Sequence, residues 1–244
     1  MKSKKPELSV VALCFQEGEA AAQFANRLNH ELSREKIDYE IVLVSNYIPG
    51  IKDSTPALVT NIAKNNPRIK AVTEAKSKGQ HFGWDVRQGL NVASGTLLCF
   101  VDGDNQIPPK DVVRVYRNLK EKRLDLVKGR RVERHDGLQR ILISKVYNLI
   151  FWLLFPSIAD GDVDGKPKIF TRELYERLDL QSNDWFVDPE IMIQAKYLGF
   201  AFDSVPTVFQ KKPHRSGSLI NFHTSSMLKN LIRWRIKTLL NKRL

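Results

Sequence analysis

Residues 96–110 read TLLCFVDGDNQIPPK. Thr96 to Val101 is a short apolar run rich in β-forming residues. It stops on Asp102-Gly-Asp104-Asn-Gln106, and Pro108 and Pro109 then open a helix. A strand, a polar turn and a helix start in direct succession form the repeating unit of an α/β fold.

The same unit recurs upstream. Leu8 to Phe15 (LSVVALCF) is continuously apolar, as a strand covered on both faces of a parallel sheet must be. Ala21, Phe24, Ala25, Leu28 and Leu32 fall at helical spacing within residues 17–33. A strand over 39–44, a helix over 53–65 begun by Asp-Ser-Thr, a strand over 68–73 and a helix over 82–93 follow. The alternation predicts a doubly wound, mostly parallel α/β sheet with its ligand groups at the carboxyl ends of the strands. Residues 102–106 lie at such an end. Downstream the pattern loosens: a helix over 109–120, a strand over 124–128, and one long apolar helix or two short ones over 138–155. A strand over 162–170, a helix over 186–198, a strand over 201–208 and a basic amphipathic segment over 226–243 complete the chain. Without repeats or an evident linker, the expected organisation is one domain over 1–215 with a basic amphipathic tail over 216–244.

Composition narrows the class. Hydrophobic residues at 42% and charged residues at 27% exclude a disordered chain. Two cysteines, Cys14 and Cys99, exclude a disulfide framework, and both read as buried thiols. No signal peptide is expected, because Met1 to Glu7 is charged and the apolar run behind it is short. Ile141 to Ala159 carries Lys145, Asn148 and Pro156, and falls short of the roughly 20 apolar residues that a spanning helix needs. The net charge is +12, and from Lys211 onward there are nine Lys or Arg and no acid. Such a tail suits nucleic acid, an anionic membrane or a phosphorylated substrate.

Asp102 and Asp104 offer hard oxygen ligands for a divalent cation. Mg²⁺ in particular takes one or two carboxylates together with substrate phosphates. An ordinary turn rich in Asp, Gly and Asn would look alike. In its full context the stretch resembles family 2 glycosyltransferases of the GT-A fold, and more narrowly the polyprenyl-phosphate sugar synthases such as dolichyl-phosphate mannose synthase. Their mark is a strand followed by Asp-x-Asp-x-Gln and a proline-rich helix start. The resemblance implies that Asp102, Asp104 and Gln106 hold Mg²⁺ or Mn²⁺ against the donor diphosphate, with Asp104 catalytic.

Other segments follow in that family's order. Phe15-Gln16-Glu17 replaces a Tyr-Asn-Glu turn, and the stretch from Lys78 to Leu90 resembles the glycine-containing donor loop. Phe15, Glu17, Gly79, Trp84 and Arg87 are therefore expected on the donor. The family's Asp-Asp-Gly-Ser turn, whose acid contacts base or ribose, is replaced by Val44-Ser45-Asn46-Tyr47, which leaves Asn46 for that contact. Residues 162–170 resemble the strand under the acceptor site. Asp188 and Glu190 resemble the acceptor-side acidic motif, which implies a catalytic role for both, although acids at a helix start are also favoured by its dipole. Arg131, Arg140 and Ser144 fall where the acceptor phosphate is gripped, a task suited to the planar guanidinium. His214-Arg215-Ser-Gly-Ser218 stands in a shortened form of the loop that closes over the diphosphate.

Tyr147 to Pro156 is too short to span a bilayer, yet its Trp and Phe suit a membrane interface as well as a core. In the tail, Leu228, Leu231, Ile232, Trp234 and Leu239 are interleaved with Lys229, Arg233, Arg235 and Lys237. The expected protein is an inverting transferase, peripheral on the cytoplasmic face of a membrane. It would use a nucleotide-diphosphate sugar and polyprenyl phosphate on an anionic surface, with a possible separate membrane subunit. Two alternatives stand beside it: transfer to a saccharide in envelope polysaccharide synthesis, and a non-catalytic basic binding protein. For the latter the chain carries no RRM, KH or zinc pattern, so no nucleic acid is expected.

Overall fold

Every residue of β1 (Leu8–Leu13) and β2 (Tyr39–Val44) is buried, as central parallel strands require. The computed structural model describes residues 5–134, 138–158, 161–210 and 224–240. Between and after those strands run α1 (Glu19–Arg34), α2 (Thr55–Lys64), β3 (Ile69–Val72), α3 (Phe82–Val92) and β4 (Leu97–Asp102). The second half comprises α4 (Pro109–Lys122), β5 (Leu126–Arg134), α5 (Leu138–Leu154), β6 (Lys168–Thr171), α6 (Arg172–Arg177), α7 (Val187–Tyr197), β7 (Phe202–Phe209) and α8 (Thr224–Leu240). The strands form one seven-stranded sheet in the order β3-β2-β1-β4-β6-β5-β7. All neighbours pair in parallel except β6, which is antiparallel to both β4 and β5.

One face of the sheet is covered by α1, α2 and α4, through Phe24, Leu28, Leu32, Val59, Val112 and Leu119. On the other face α3, α5, α7 and α8 bury Val86, Leu90, Phe151, Phe155, Ile191, Leu231 and Trp234. Cys14 and Cys99 are buried and unbridged. Among the described residues no helix is long and apolar enough to cross a membrane.

Three expectations need correction. The strand expected over 162–170 shrinks to Lys168–Thr171 because Gly165 and Pro167 interrupt it: the Gly165 amide turns back to the Asp162 carbonyl at 3.0 Å. β5 runs on to Arg134, drawn out by pairing with β7 along its length. The segment set apart as a tail docks instead: Leu231 is fully buried and Trp234 nearly so, in the same core as Phe151 and Phe155. The short α6 had no periodic signal to betray it; Thr171 caps it by accepting from the Leu174 amide at 3.2 Å.

β5 and the turn before β6 pass backbone to backbone. A Cβ on Gly129 would overlap the Lys166 carbonyl, and one on Gly165 the Gly129 carbonyl. Gly129→Ala is expected to cost about 1–3 kcal/mol in chemical denaturation, since neither backbone can yield; an unchanged midpoint would refute this close packing.

Candidate active site

Parallel pairing of β1 and β4 sets Asp102 opposite Leu13 at the carboxyl end of the sheet. The turn beyond is fastened on three sides. The Gly103 amide donates to the Leu13 carbonyl at 2.8 Å, and Asn105, in a left-handed conformation, donates to the Ala20 carbonyl at 2.9 Å. Gln106 exchanges two 2.9 Å bonds with Gln210, giving its side-chain amide to one carbonyl and its own carbonyl to the Gln210 amide. Asp104 Oδ1 accepts from the Gln106 amide at 3.0 Å. Asp102 and Asp104 stay partly exposed while Gln106 is buried. Among the described residues no group of three or more His, Cys, Asp or Glu is poised for a metal ion. Two carboxylates and an amide oxygen fit Mg²⁺ or Mn²⁺ as part of a shell that water or phosphate oxygens would complete.

Across from this turn, Asp188 stands in the first turn of α7 at 1% exposure. Lys168 Nζ lies 2.5 Å from its Oδ1 and Lys166 Nζ 3.3 Å from its Oδ2. Lys166 also reaches Asp102 Oδ2 at 3.6 Å, so a single ammonium bridges the carboxylate at the end of β4 and the one at the start of α7. Burial works against the charge on Lys166, but Asp102 and Asp188 outweigh it and raise its pKa. Burial dominates at Lys168 and lowers its pKa.

Arg131 is engaged by Asp162. Its Nε and Nη2 donate to the carboxylate at 2.9 and 2.5 Å, its backbone amide donates at 2.8 Å, and Phe209 underlies the guanidinium. Despite burial, that guanidinium holds Asp162 down to a pKa of about 2. The neighbouring Asp164 goes the other way: burial, then the charge on Asp188, pushes it up to about 6, and among the described residues its Oδ1 has no hydrogen-bond partner. The buried Tyr147 hydroxyl is likewise unpartnered. Ser144 lies one helical turn before Asn148, which donates to the Ser144 carbonyl and accepts from the Val163 amide, both at 2.9 Å. Arg215 lies outside the described residues, as does the side chain of Arg140.

The donor-side expectations divide. Phe15 is half-buried under the Lys76 ammonium, 4.1 Å from its ring centre, and Glu17 sits in the same turn. Gly79 is exposed at φ +87°, a conformation that favours glycine. Asn46 is fully buried: its amide donates to Asp85 at 2.8 Å and its carbonyl oxygen accepts from the Glu74 amide at 2.7 Å. Asp85 in turn pairs with Lys76 at 2.5 Å. The base contact foreseen for Asn46 is thus corrected to a supporting role beneath Asp85 and Lys76. Arg87 turns to Asn183 at 2.9 Å, and the Trp84 amide also meets Asn183, at 3.2 Å; both tie α3 to the loop before α7. Glu190, expected to be catalytic, accepts from the Gln181 and Ser182 amides at 3.0 Å each and is fully buried. It clamps that same loop.

Comparison with known proteins places these features. The pattern described as "Glycosyl transferase family 2" matches residues 9–175. The chain belongs to this family. A curated relative, undecaprenyl-phosphate 4-deoxy-4-formamido-L-arabinose transferase of Yersinia enterocolitica, is 30% identical over 149 residues. That match covers 60% of this chain and 43% of the relative, so the chain spans less than half the length of the relative it matches. Among solved structures, mannosyl-3-phosphoglycerate synthase from Rubrobacter xylanophilus superposes with a TM-score of 0.72 at 18% identity, covering 96% of this chain and 74% of that one. Glucosyl-3-phosphoglycerate synthase from Mycobacterium tuberculosis, in complex with Mn²⁺, UDP and phosphoglyceric acid, gives 0.67 at 19%, covering 97% and 78%. These two likenesses establish the GT-A fold.

Sequence reasoning passed over Lys166, Lys168, Asp164, Asp85 and Asn148. A signal was available for three of them: Asp162, Asp164, Lys166 and Lys168 alternate with period two, which gathers charge of both signs on one side of an extended segment.

Asp164 supplies a pH test. Its pKa of about 6 exceeds its unfolded value, so the folded state holds the proton longer and stability falls as pH rises from about 4 through 6. Asp164→Asn is expected to be more stable than the parent by about 1–3 kcal/mol at pH 7, with the gap closing near pH 4 in urea titrations. A gap independent of pH would contradict this.

Proposed function

We propose that the protein is a divalent-metal-dependent, inverting glycosyltransferase that moves a sugar from a nucleotide-diphosphate donor to a polyprenyl phosphate. The state of Asp188 carries this reading. Both of its oxygens are already engaged by ammonium groups, and an acceptor that arrives already ionised needs no base. A phosphate meets that condition near neutral pH. Its oxygen would attack the anomeric carbon from the face opposite the departing diphosphate. A cation held by Asp102, Asp104 and Gln106 would neutralise charge on that leaving group. Arg131, stiffened by Asp162, offers its remaining N–H groups to the acceptor phosphate, with Arg140, Ser144 and Arg215 as further contacts. Phe15, Glu17, Gly79, Lys76 and Asp85 would frame the donor.

The apolar outer surface supports a lipid acceptor. Leu138, Leu142, Val146, Leu149 and Leu153, with Trp152, form an exposed stripe along α5, and Leu228, Ile232, Ile236 and Leu239 do the same on α8. The two helices touch, with Arg235 over the Phe155 ring. Lying on the cytoplasmic face of an anionic membrane would satisfy both stripes, and each basic residue near the surface adds about 1 kcal/mol. A separate membrane subunit could share that surface.

A saccharide acceptor is the second reading, favoured by Asp164. Its unpartnered oxygen and raised pKa suit it, rather than Asp188, to take a hydroxyl proton.

A transfer assay separates the readings. Purified protein with Mn²⁺ is offered labelled GDP-mannose, UDP-glucose and UDP-N-acetylglucosamine, with polyprenyl phosphate in vesicles or with a glycan. Label is expected in the organic phase from one donor, and Asp104→Ala should lose about 10²-fold or more. Asp164→Asn should leave lipid transfer near the parent rate; a loss of about 10²-fold or more with a glycan acceptor would select the saccharide reading. Undiminished transfer by Asp104→Ala would remove the metal assignment.

A further inference from the structure

Lys166 stands where a cation-binding carboxylate already has a cation. Its Nζ is 3.6 Å from Asp102 Oδ2 and 3.3 Å from Asp188 Oδ2, on a side chain 8% exposed. The ammonium rests 4.4 Å from the centre of the Phe82 ring, which is itself stacked on Trp185 at 4.5 Å. Its backbone is pressed against β5, where Gly129 leaves room for the Lys166 carbonyl and for nothing larger. The charge is therefore held in place from both ends of the residue.

Neutralising Asp188 does not account for this. Lys168 already pairs with Asp188 at 2.5 Å and with complete burial. What Lys166 adds is its reach to Asp102. A fixed positive charge there repels any divalent ion that approaches the Asp102–Asp104 turn, and in a partly buried site the repulsion is weakly screened. The phosphate oxygens of a nucleoside diphosphate would reverse the balance by placing negative charge beside both cations.

We propose that Lys166 is a positioning residue that makes divalent-metal binding conditional on the donor's diphosphate. Without nucleotide it occupies Asp102 electrostatically and keeps affinity for the ion low. With the diphosphate present, metal and ammonium share one set of anionic oxygens and bind together. The inference rests on the metal reading given above and assigns the order in which that site fills.

The test is direct titration of Mn²⁺, followed by the paramagnetic resonance signal of the free ion, with and without UDP or GDP. It uses the parent, Lys166→Met, Lys166→Gln and Lys166→Arg, each checked for cooperative thermal unfolding. The parent is expected to bind Mn²⁺ about tenfold or more tightly with a nucleoside diphosphate than without. Lys166→Met or Lys166→Gln should raise nucleotide-free affinity about tenfold and shrink that ratio, while Lys166→Arg keeps the parent's behaviour. Adding Asp104→Ala to a neutral variant should abolish the gain, which locates the ion. Equal Mn²⁺ affinity in the parent with and without nucleotide would overturn the inference, a result that needs no variant to fold. So would unchanged nucleotide-free affinity in the neutral variants. Absence of Mn²⁺ binding under every condition would instead overturn the metal reading, and the inference with it.

Discussion

A carboxylate as thoroughly buried as Asp188 must be paired, because an isolated ion in the interior costs several kcal/mol. Both partners come from the entry to β6, Lys166 just before the strand and Lys168 as its first residue, and that requirement shapes the second half of the sheet. Lys168 enters on β6, which is inserted antiparallel between β4 and β5, so its ammonium arrives beneath α7. Lys166 lies two residues earlier, in a turn pressed so closely on β5 that both facing positions are glycine. The same turn carries Asp162, which locks Arg131, and it is tied to α5 through Asn148. One short loop thus connects the Asp102–Gln106 turn, α7 and α5.

Much of the first half could be read from residue pattern alone. Continuous apolar runs in β1, β2 and β4 and helical spacing in α1 leave little alternative, and the Asp102–Gln106 turn falls at a strand end as the parallel arrangement demands. The second half was harder for a physical reason. Residues 162–167 carry a strand's alternation of side chains, yet glycine, proline and buried ion pairs govern their path, and long-range pairing of charge has no local signature. Asn46 shows the same limit. Its residue type suited a ligand contact, but complete burial against Asp85 and Glu74 commits both ends of the amide to the fold. Glu190 looked like a catalytic acid and proves to cap two backbone amides.

The sequence pattern of α8 invited its separation from the domain, since its basic and apolar residues alternate as a surface-seeking helix's do. Packing decides otherwise. Leu231 and Trp234 close the core beside Phe151 and Phe155, while Ser226 donates to Asp184 at 3.1 Å, three residues before α7. One edge of the helix therefore belongs to the interior, another to the loop next to the acidic motif, and a third to the outside.

This arrangement fixes where the chain can be cut. A fragment ending at residue 215 would bare the aromatic side chains that α8 now covers and would release the loop that positions Asp188. It would be a different folding unit, prone to associate through the uncovered patch. The smallest autonomous piece of the protein is thus the one that keeps its C-terminal helix, because the residues that helix covers belong to the core of the domain.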